Sequence, residues 1–342
     1  MPMKAYRLLA PGHAELVEVD EPRPGPGEVI LRVLAAGVCR TDLDVIRSGA
    51  TALPVTLGHE IAGEVVDLGP GVRGPAPGTR VAVYELIGCG DCPACRRGED
   101  NVCREGTPHV PGITRDGGMA EYVAVPARNL VELGALPPGD AAPLTDAGMT
   151  ALHAVRRARP WLGPDAVAVV IGIGGLGHLA LQFIAATAQA RTIAVDVDAP
   201  RLELARELGA AHGVRAGDDA AQHVLEANGG RRVDAVLDFV GSQPSLDLAA
   251  RVTGRGGAIL LVGGGSGRLC LTARMGTGRD LEREVTLLHT FGGSRADLAD
   301  ALALAHEGRV RSHVRPFALA EAAAAMAALD AGTVLGRAVL IP

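Results

Sequence analysis

The pattern of apolar and polar positions changes character near residue 150. Before it, apolar runs are short: "EVILRVLAAGV", "IAGEVVDLG" and "TRVAVYEL", separated by the turn-forming stretches "PRPGPGE" and "GPGVRGPAPG". Short apolar runs bounded by Gly and Pro read as strands, so this part is predicted to be mostly β. After residue 150 the texture alternates. "AVAVVIGIG", "RTIAVDVD", "VDAVLDFVG", "GAILLVGGG" and "EVTLLHTF" read as strands. "GHLALQFIAATA", "PRLELARELGA", "AAQHVLEANGG", "PSLDLAARVTG" and "ADLADALALAHEG" read as helices. Apolar strands alternating with amphipathic helices predict a parallel sheet covered on both faces. The closing "GRAVLIP" is a last strand, expected to return to the first part.

Length and composition narrow the picture. A chain of 342 residues with 48% apolar positions can hold two ordinary cores. A net charge of −6 without any basic block argues against nucleic acid as a partner. No stretch approaches the roughly 18–20 apolar residues of a membrane span. The beginning "MPMKAYRLLAPGH" lacks an apolar signal core, so a cytoplasmic protein is expected, one in which thiols stay reduced.

The strand "AVAVVIGIG" runs into "GIGGLG", in which Gly172, Gly174 and Gly177, with Gly175 and Leu176 between them, fit G-x-G-x-x-G. A strand before it and a helix after it are the context that a dinucleotide site requires. Gly172 permits the tight turn, Gly174 lets the backbone approach a pyrophosphate, and Gly177 lets helix and strand pack closely. Asp196 follows 19 residues after Gly177, where an acid accepts from the adenosine ribose hydroxyls and repels a 2′-phosphate. NAD is therefore expected rather than NADP. Arg201 nearby is read as a ribose or phosphate-rim contact.

Four of the six cysteines fall in "GCGDCPACRRGEDNVC": Cys89, Cys92, Cys95 and Cys103. Four thiolates at this spacing can wrap one tetrahedral Zn²⁺ and leave no open position, which makes a structural site. A disulfide pair and an iron–sulfur cluster are the alternatives. The reducing compartment argues against the first, and nothing else in the chain suggests electron transfer for the second. Such a site would staple a lobe, about residues 86–106, that has little core of its own. Cys39 in "GVCRTDLD" and His59 in "LGHEIAG" are each weak signals. Beside a dinucleotide fold they suggest a catalytic metal with an open coordination position. Cys270 matches no motif and is read as structural.

Taken together, "AAGVCRTD", "LGHEIAGEV", the four-cysteine lobe, "GGMAEY", "APLTDAGMTALHAV", "VVIGIGGLGHLALQ", "DFVGS" and "GRAVL" resemble a zinc-dependent alcohol dehydrogenase of the medium-chain dehydrogenase/reductase superfamily. In texture the chain is most similar to bacterial secondary-alcohol dehydrogenases. The resemblance implies an α/β fold. A GroES-like, mostly β catalytic domain would span residues 1–149 and 288–342, and a Rossmann doubly wound parallel-sheet domain residues 150–287. It implies two zinc ions per subunit, with Cys39, His59 and Asp146 as ligands of the catalytic one. Many members carry a Cys where Asp146 stands. The acid keeps the formal charge and makes the donor set harder. Glu60 would stand behind the metal, and Asp42 would orient His59. Thr41 would begin a proton relay, with Asp44 where a His is often found. Thr150 and Val262 resemble nicotinamide contacts, Phe239, Val240 and Gly241 the adenosine side, and Arg337 a phosphate contact beside Glu60. Leu43, Ile46, Ile113, Met119, His289 and Phe291 would line the substrate cleft. His289 reads as either a polar handle for substrate or a solvent-facing strand end.

The implied activity is hydride transfer between an alcohol, in the first place a secondary one, and NAD. A dehydrogenase acting on polyols, sugars or a specialised metabolite would keep the same metal motifs. A non-catalytic scaffold would need none of Cys39, His59, Asp146 and Thr41. The resemblance also implies a homodimer or homotetramer built on a sheet edge, for which "AILLVGGG" is the candidate strand.

Overall fold

The computed structural model describes residues 1–49, 53–269 and 281–342. Cys270 lies outside the described residues. The chain forms two units: Met1–Met149 together with Gly292–Pro342, and Thr150–Phe291.

The first unit is organised around the strand Glu28–Val38. Along one edge it pairs antiparallel with Glu60–Leu68. Its first half also pairs with Tyr122–Pro126, and its last residues with Arg337–Ile341. A strand enclosed this way needs apolar side chains on both faces, and Val29, Leu31, Val33, Ala35, Ala36 and Val38 are all buried. The sheet continues through Arg80–Val83 to Leu130–Glu132 and, on the other side, ends at Val314–Ala318. Pro2–Ala10, His13–Asp20 and Val55–Thr56 form a second, three-stranded sheet. Leu8, Leu31, Leu57, Ile61, Val81 and Met119 share the core, each fully burying a side chain whose transfer from water is worth roughly 1.5–3 kcal/mol. The mostly β texture holds here, with helical elements that the strand pattern did not announce, among them Arg40–Ser48 and the short turns Pro138–Ala141 and Ala142–Thr145. Arg40–Ser48 starts immediately after Cys39.

The second unit is a parallel six-stranded sheet. Its order is His212–Arg215, Arg191–Asp196, Val167–Ile171, Val233–Asp238, Thr253–Leu261, Thr286–His289. The first strand in sequence lies in the middle, the second and third stand to one side of it, and the later three to the other. That is the doubly wound order, with the ligand crevice at the switch point beyond the carboxyl end of Val167–Ile171. All five residues of this strand are buried, as helices on both faces require.

One expectation is corrected. The strand containing "AILL" is interior, paired on both sides with Val233–Asp238 and Thr286–His289. The edges of the described sheet are His212–Arg215 and Thr286–His289. An apolar run reports burial, which an interior strand achieves at least as well as an edge.

Candidate metal and cofactor sites

Three strand ends of the first unit converge on one cluster. Glu60 stands opposite Gly37, and Ala338 opposite Val38. Cys39 and His59 therefore lie one residue beyond paired positions, and Arg337, itself opposite Val314, directly precedes Ala338. Gly37 has to be glycine: an added Cβ would come within 1.8 Å of the Glu60 carboxylate. Cys39 also N-caps the helix Arg40–Ser48, where Asp42 Oδ2 accepts from the Cys39 amide at 2.8 Å. Asp146 follows a short 3₁₀ turn, Ala142–Thr145, and precedes the helix Ala147–Ala158.

The donor atoms of Cys39, His59 and Asp146 all lie within 4.8 Å of one another. Asp146 Oδ2 is 3.5 Å from Cys39 Sγ and 3.5 Å from His59 Nε2. Zinc bonds of about 2.0 Å to oxygen or nitrogen and 2.3 Å to sulfur place tetrahedral ligands about 3.3–3.5 Å apart, so the set fits the ion. On the far side of the ring, His59 Nδ1 faces Asp42 Oδ1 at 3.3 Å, off hydrogen-bond geometry, and neither buried atom has another partner. Burial opposes the imidazolium, but the carboxylates of Asp42 and Asp146 outweigh it and hold the His59 pKa well above 6.5. Burial likewise opposes the Asp146 carboxylate. His59 and Arg337 outweigh it and drive that pKa far below the usual range. So much negative charge around one buried imidazole is an environment built for a cation.

Glu60 and Arg337 close the back of the cluster. Arg337 Nε donates to Glu60 Oε2 at 2.9 Å, and Arg337 Nη2 donates to Glu60 Oε1 and, at 3.1 Å, to Asp146 Oδ2. The Ala147 amide donates to Glu60 Oε1 at 3.2 Å. Glu60, expected behind the metal, is held by these three donors. Arg337, expected as a phosphate contact beside Glu60, does stand beside Glu60, 3% exposed and turned to the two carboxylates. Thr41 Oγ1 stands 3.5 Å from Cys39 Sγ. Thr41 and Asp44 are exposed one helical turn apart, with Asp44 facing Arg47 at 3.5 Å.

The sulfurs of Cys89, Cys92, Cys95 and Cys103 form the second cluster, all within 4.8 Å. Cys89 and Cys95 Sγ are 3.8 Å apart, the edge that two zinc–sulfur bonds of about 2.3 Å span in a tetrahedron. Backbone amides already favour thiolate here. Those of Arg104 and Cys95 lower Cys92 to about 6, whereas burial raises Cys95 to about 12. Asp100 fixes the lobe by accepting from the Gly88 amide at 2.9 Å and Arg128 Nη1 at 3.0 Å.

In the second unit, Gly172 has φ +87°, and a Cβ on Gly177 would sit 1.9 Å from the Gly172 carbonyl. Gly174 meets nothing within 4 Å, so the loop leaves open space where a phosphate needs to approach. Gly175 and Leu176 lead directly into the helix Gly177–Thr187. Asp196 ends its strand with Oδ2 accepting from the Ile173 amide at 2.7 Å and Oδ1 from Asp198 at 3.0 Å. Arg201 Nη1 lies 3.9 Å from it. Asp238 Oδ1 accepts from Val240 and Gly241 amides at 2.8 and 3.1 Å, which shapes the turn Phe239–Gly241. Val262 donates its amide to the Asp238 carbonyl, and Thr150 is buried.

The expected cleft lining needs correction. Met119 is fully buried and Leu43 nearly so, both in the core of the first unit, and Ile46 and Ile113 pack against that core. Tight apolar packing at these positions is indistinguishable by sequence from a cleft wall. His289 is exposed on the edge strand, and Phe291 is 53% exposed. Sequence reasoning also passed over Glu85, a buried acid inside the apolar run "RVAVYELIG". The charge in that run was the signal.

Two family models match the chain: the alcohol dehydrogenase GroES-like domain over residues 25–135, and the zinc-binding dehydrogenase domain over residues 175–307. An NAD-dependent alcohol dehydrogenase of Sulfurisphaera tokodaii is 35% identical, covering 99% of this chain and 100% of that one. The D-arabinose 1-dehydrogenase (NADP(+)) of Saccharolobus solfataricus is also 35% identical, over 95% of this chain and 93% of its own. The crystal structure of the alcohol dehydrogenase from the hyperthermophilic archaeon Aeropyrum pernix superposes with a TM-score of 0.90 at 37% identity, covering 99% of this chain and 100% of that one. The chain belongs to the zinc-binding alcohol dehydrogenase family, with its GroES-like and Rossmann folds.

Proposed function

We propose that the protein is a zinc-dependent NAD(H) oxidoreductase that interconverts alcohols, in the first place secondary ones, with ketones or aldehydes. The observation that carries this reading is the 3.5 Å spacing of Asp146 Oδ2 from both Cys39 Sγ and His59 Nε2. Cys39, His59 and Asp146 would hold the catalytic zinc, and Cys89, Cys92, Cys95 and Cys103 a structural one. When bound, zinc supplies Lewis acidity toward the substrate oxygen, and the nicotinamide supplies the hydride acceptor. Asp42 Oδ1, facing His59 Nδ1 at 3.3 Å, favours the proton on that nitrogen and leaves Nε2 free to ligate. Arg337 balances Glu60 and Asp146, so that the surplus negative charge suits a divalent ion. Thr41 accepts the alcohol proton and passes it to water at the exposed face of its helix, where Asp44 stands one turn on. Gly172, Gly174 and Gly177 admit the pyrophosphate, and Asp196 with Arg201 receives the adenosine ribose. An acid at that position favours NAD. The NAD-dependent relative from Sulfurisphaera tokodaii supports the same choice.

The test pairs turnover with metal content. Secondary alcohols should reduce NAD, and Cys39→Ser and His59→Ala should each lose about one zinc per chain together with that activity. Retained turnover in both variants would overturn the assignment. We also infer a homo-oligomer, a dimer or tetramer, formed through the edge strand Thr286–His289, whose backbone is paired on one side only among the described residues and whose Leu287 and Leu288 are half-buried. Light scattering that found a monomer would refute it.

A further inference from the structure

His178 is a buried histidine to which the metal and cofactor assignments give no part. It directly follows the last glycine of the loop 172–177, in the first turn of the helix Gly177–Thr187, and none of its surface is exposed. Its ring is turned back onto that loop. Nδ1 lies 2.8 Å from the Gly174 carbonyl oxygen, and the His178 backbone amide donates to the same oxygen at 3.3 Å. A carbonyl can only accept, so the ring proton at this contact sits on Nδ1. The start of the loop is tied separately, by the Ile173 amide donating to Asp196 Oδ2 at 2.7 Å.

Between these two ties the backbone is uncommitted. Among the described residues the amides of Gly174, Gly175 and Leu176 donate to no acceptor within the protein, and the helix has no side-chain cap. A Cβ on Gly174 would meet nothing within 4 Å, so the space beside the loop is open. Free amides at a helix start are donors suited to a phosphate, but only if they point at it. A peptide between two glycines is the easiest in a chain to turn over, because neither neighbour carries a Cβ that restricts it. Turned over, the peptide joining Gly174 to Gly175 would present a carbonyl oxygen to an anion. With that oxygen held by His178, the planar trans peptide sends the Gly175 N–H the opposite way, out of the helix start.

We propose that His178 is a positioning residue for the dinucleotide's diphosphate: its Nδ1–H holds the Gly174 carbonyl inward and so keeps the Gly175 amide facing the diphosphate. His178 touches no ligand and acts through the loop, which is organised before the cofactor arrives. This rests on the reading of the glycine loop as the cofactor site.

The experiment measures binding without turnover, on the zinc-loaded wild type and three variants. NADH is followed by nicotinamide fluorescence, and ADP-ribose and adenosine by displacing it. NADH and ADP-ribose carry the diphosphate, and adenosine lacks it. His178→Leu removes the donor and keeps an apolar side chain in its place. His178→Asn sets an amide nitrogen where Nδ1 stood, and His178→Gln carries its amide one bond further out. His178→Leu and His178→Gln should weaken NADH and ADP-ribose by about 3- to 10-fold, the worth of one hydrogen bond, and leave adenosine nearly unchanged. KM for NAD should rise by the same factor with no fall in kcat. His178→Asn should recover most of the loss. Unchanged ADP-ribose affinity in His178→Leu and His178→Gln would overturn the proposal. So would an equal weakening of adenosine, which a general loss of packing produces, or a failure of His178→Asn to bind ADP-ribose more tightly than His178→Gln. That last comparison carries the test if His178→Leu does not fold. A wild type that binds neither NADH nor ADP-ribose would instead sink the cofactor reading, and the proposal with it.

Discussion

Glu60 and Arg337, 277 positions apart in sequence, form a buried two-point pair, with Nε 2.9 Å from Oε2, and the same guanidinium reaches Asp146 Oδ2 at 3.1 Å. Arg337 is 3% exposed and Glu60 fully buried. Removing one member leaves an uncompensated buried charge, which costs about 3–5 kcal/mol. Arg337→Met is therefore expected to lower stability by that amount in chemical denaturation. The double variant Arg337→Met with Glu60→Gln should lose clearly less than the sum of the singles.

Asp42 serves two neighbours at once, the Cys39 amide at 2.8 Å and His59 Nδ1 at 3.3 Å. Asp42→Ala should lose about 1 kcal/mol from the missing helix cap. It should also weaken zinc at the Cys39 site by roughly 10- to 100-fold, as loss of a partner behind a ligating histidine does elsewhere. Competition with a chelator of known affinity measures the second effect separately from the first.

Metal analysis should return about two zinc ions per chain. Cys103→Ser is expected to lose about one of them and to lower the thermal midpoint, because past Leu86 and Ile87 the lobe's buried apolar cluster is only Cys92, Ala94 and Cys95. A variant that keeps both ions would remove the four-thiolate assignment.

Cofactor choice hangs on Asp196. Asp196→Gly is expected to weaken discrimination against NADPH relative to NADH, read as the ratio of dissociation constants by nicotinamide fluorescence. It should also lower stability, since the Ile173 and Asp198 amides lose their acceptor. A ratio equal to that of wild type would mean that the ribose is held elsewhere.

Acid stability should carry the mark of Glu28. Its Oε1 accepts from Arg115 at 2.6 Å and its Oε2 from the Gly25 amide at 3.0 Å. Burial opposes the carboxylate, but these donors outweigh it and lower the pKa below the ordinary glutamate value. A depressed folded pKa contributes stability that is present above the unfolded pKa and lost as pH falls through the folded one. Glu28→Gln should therefore cost about 1 kcal/mol near neutral pH and progressively less as the pH falls below the unfolded glutamate value, measured as the difference in unfolding free energy.

The sequence by itself determined what depends on spacing along the chain. The alternation of apolar strands and helices after residue 150 specified a parallel sheet, because only strands buried on both faces can be apolar throughout. The glycines at 172, 174 and 177 and the cysteines at 89, 92, 95 and 103 declared their chemistry because their partners are neighbours in sequence. Tertiary structure decided what depends on pairing between distant segments. Cys39 and His59 meet because strand Glu28–Val38 takes Glu60–Leu68 on one edge, and Arg337 joins them because Arg337–Ile341 takes the other. The same pairing turned Arg337 onto Glu60 and Asp146, and the packing of remote segments buried Met119 in the core and left Thr286–His289 rather than "AILL" at an edge of the second unit's sheet. Hydrophobic pattern records whether a side chain leaves water. Which group it meets there is fixed by register, and register between remote strands is not written in any local stretch of the chain.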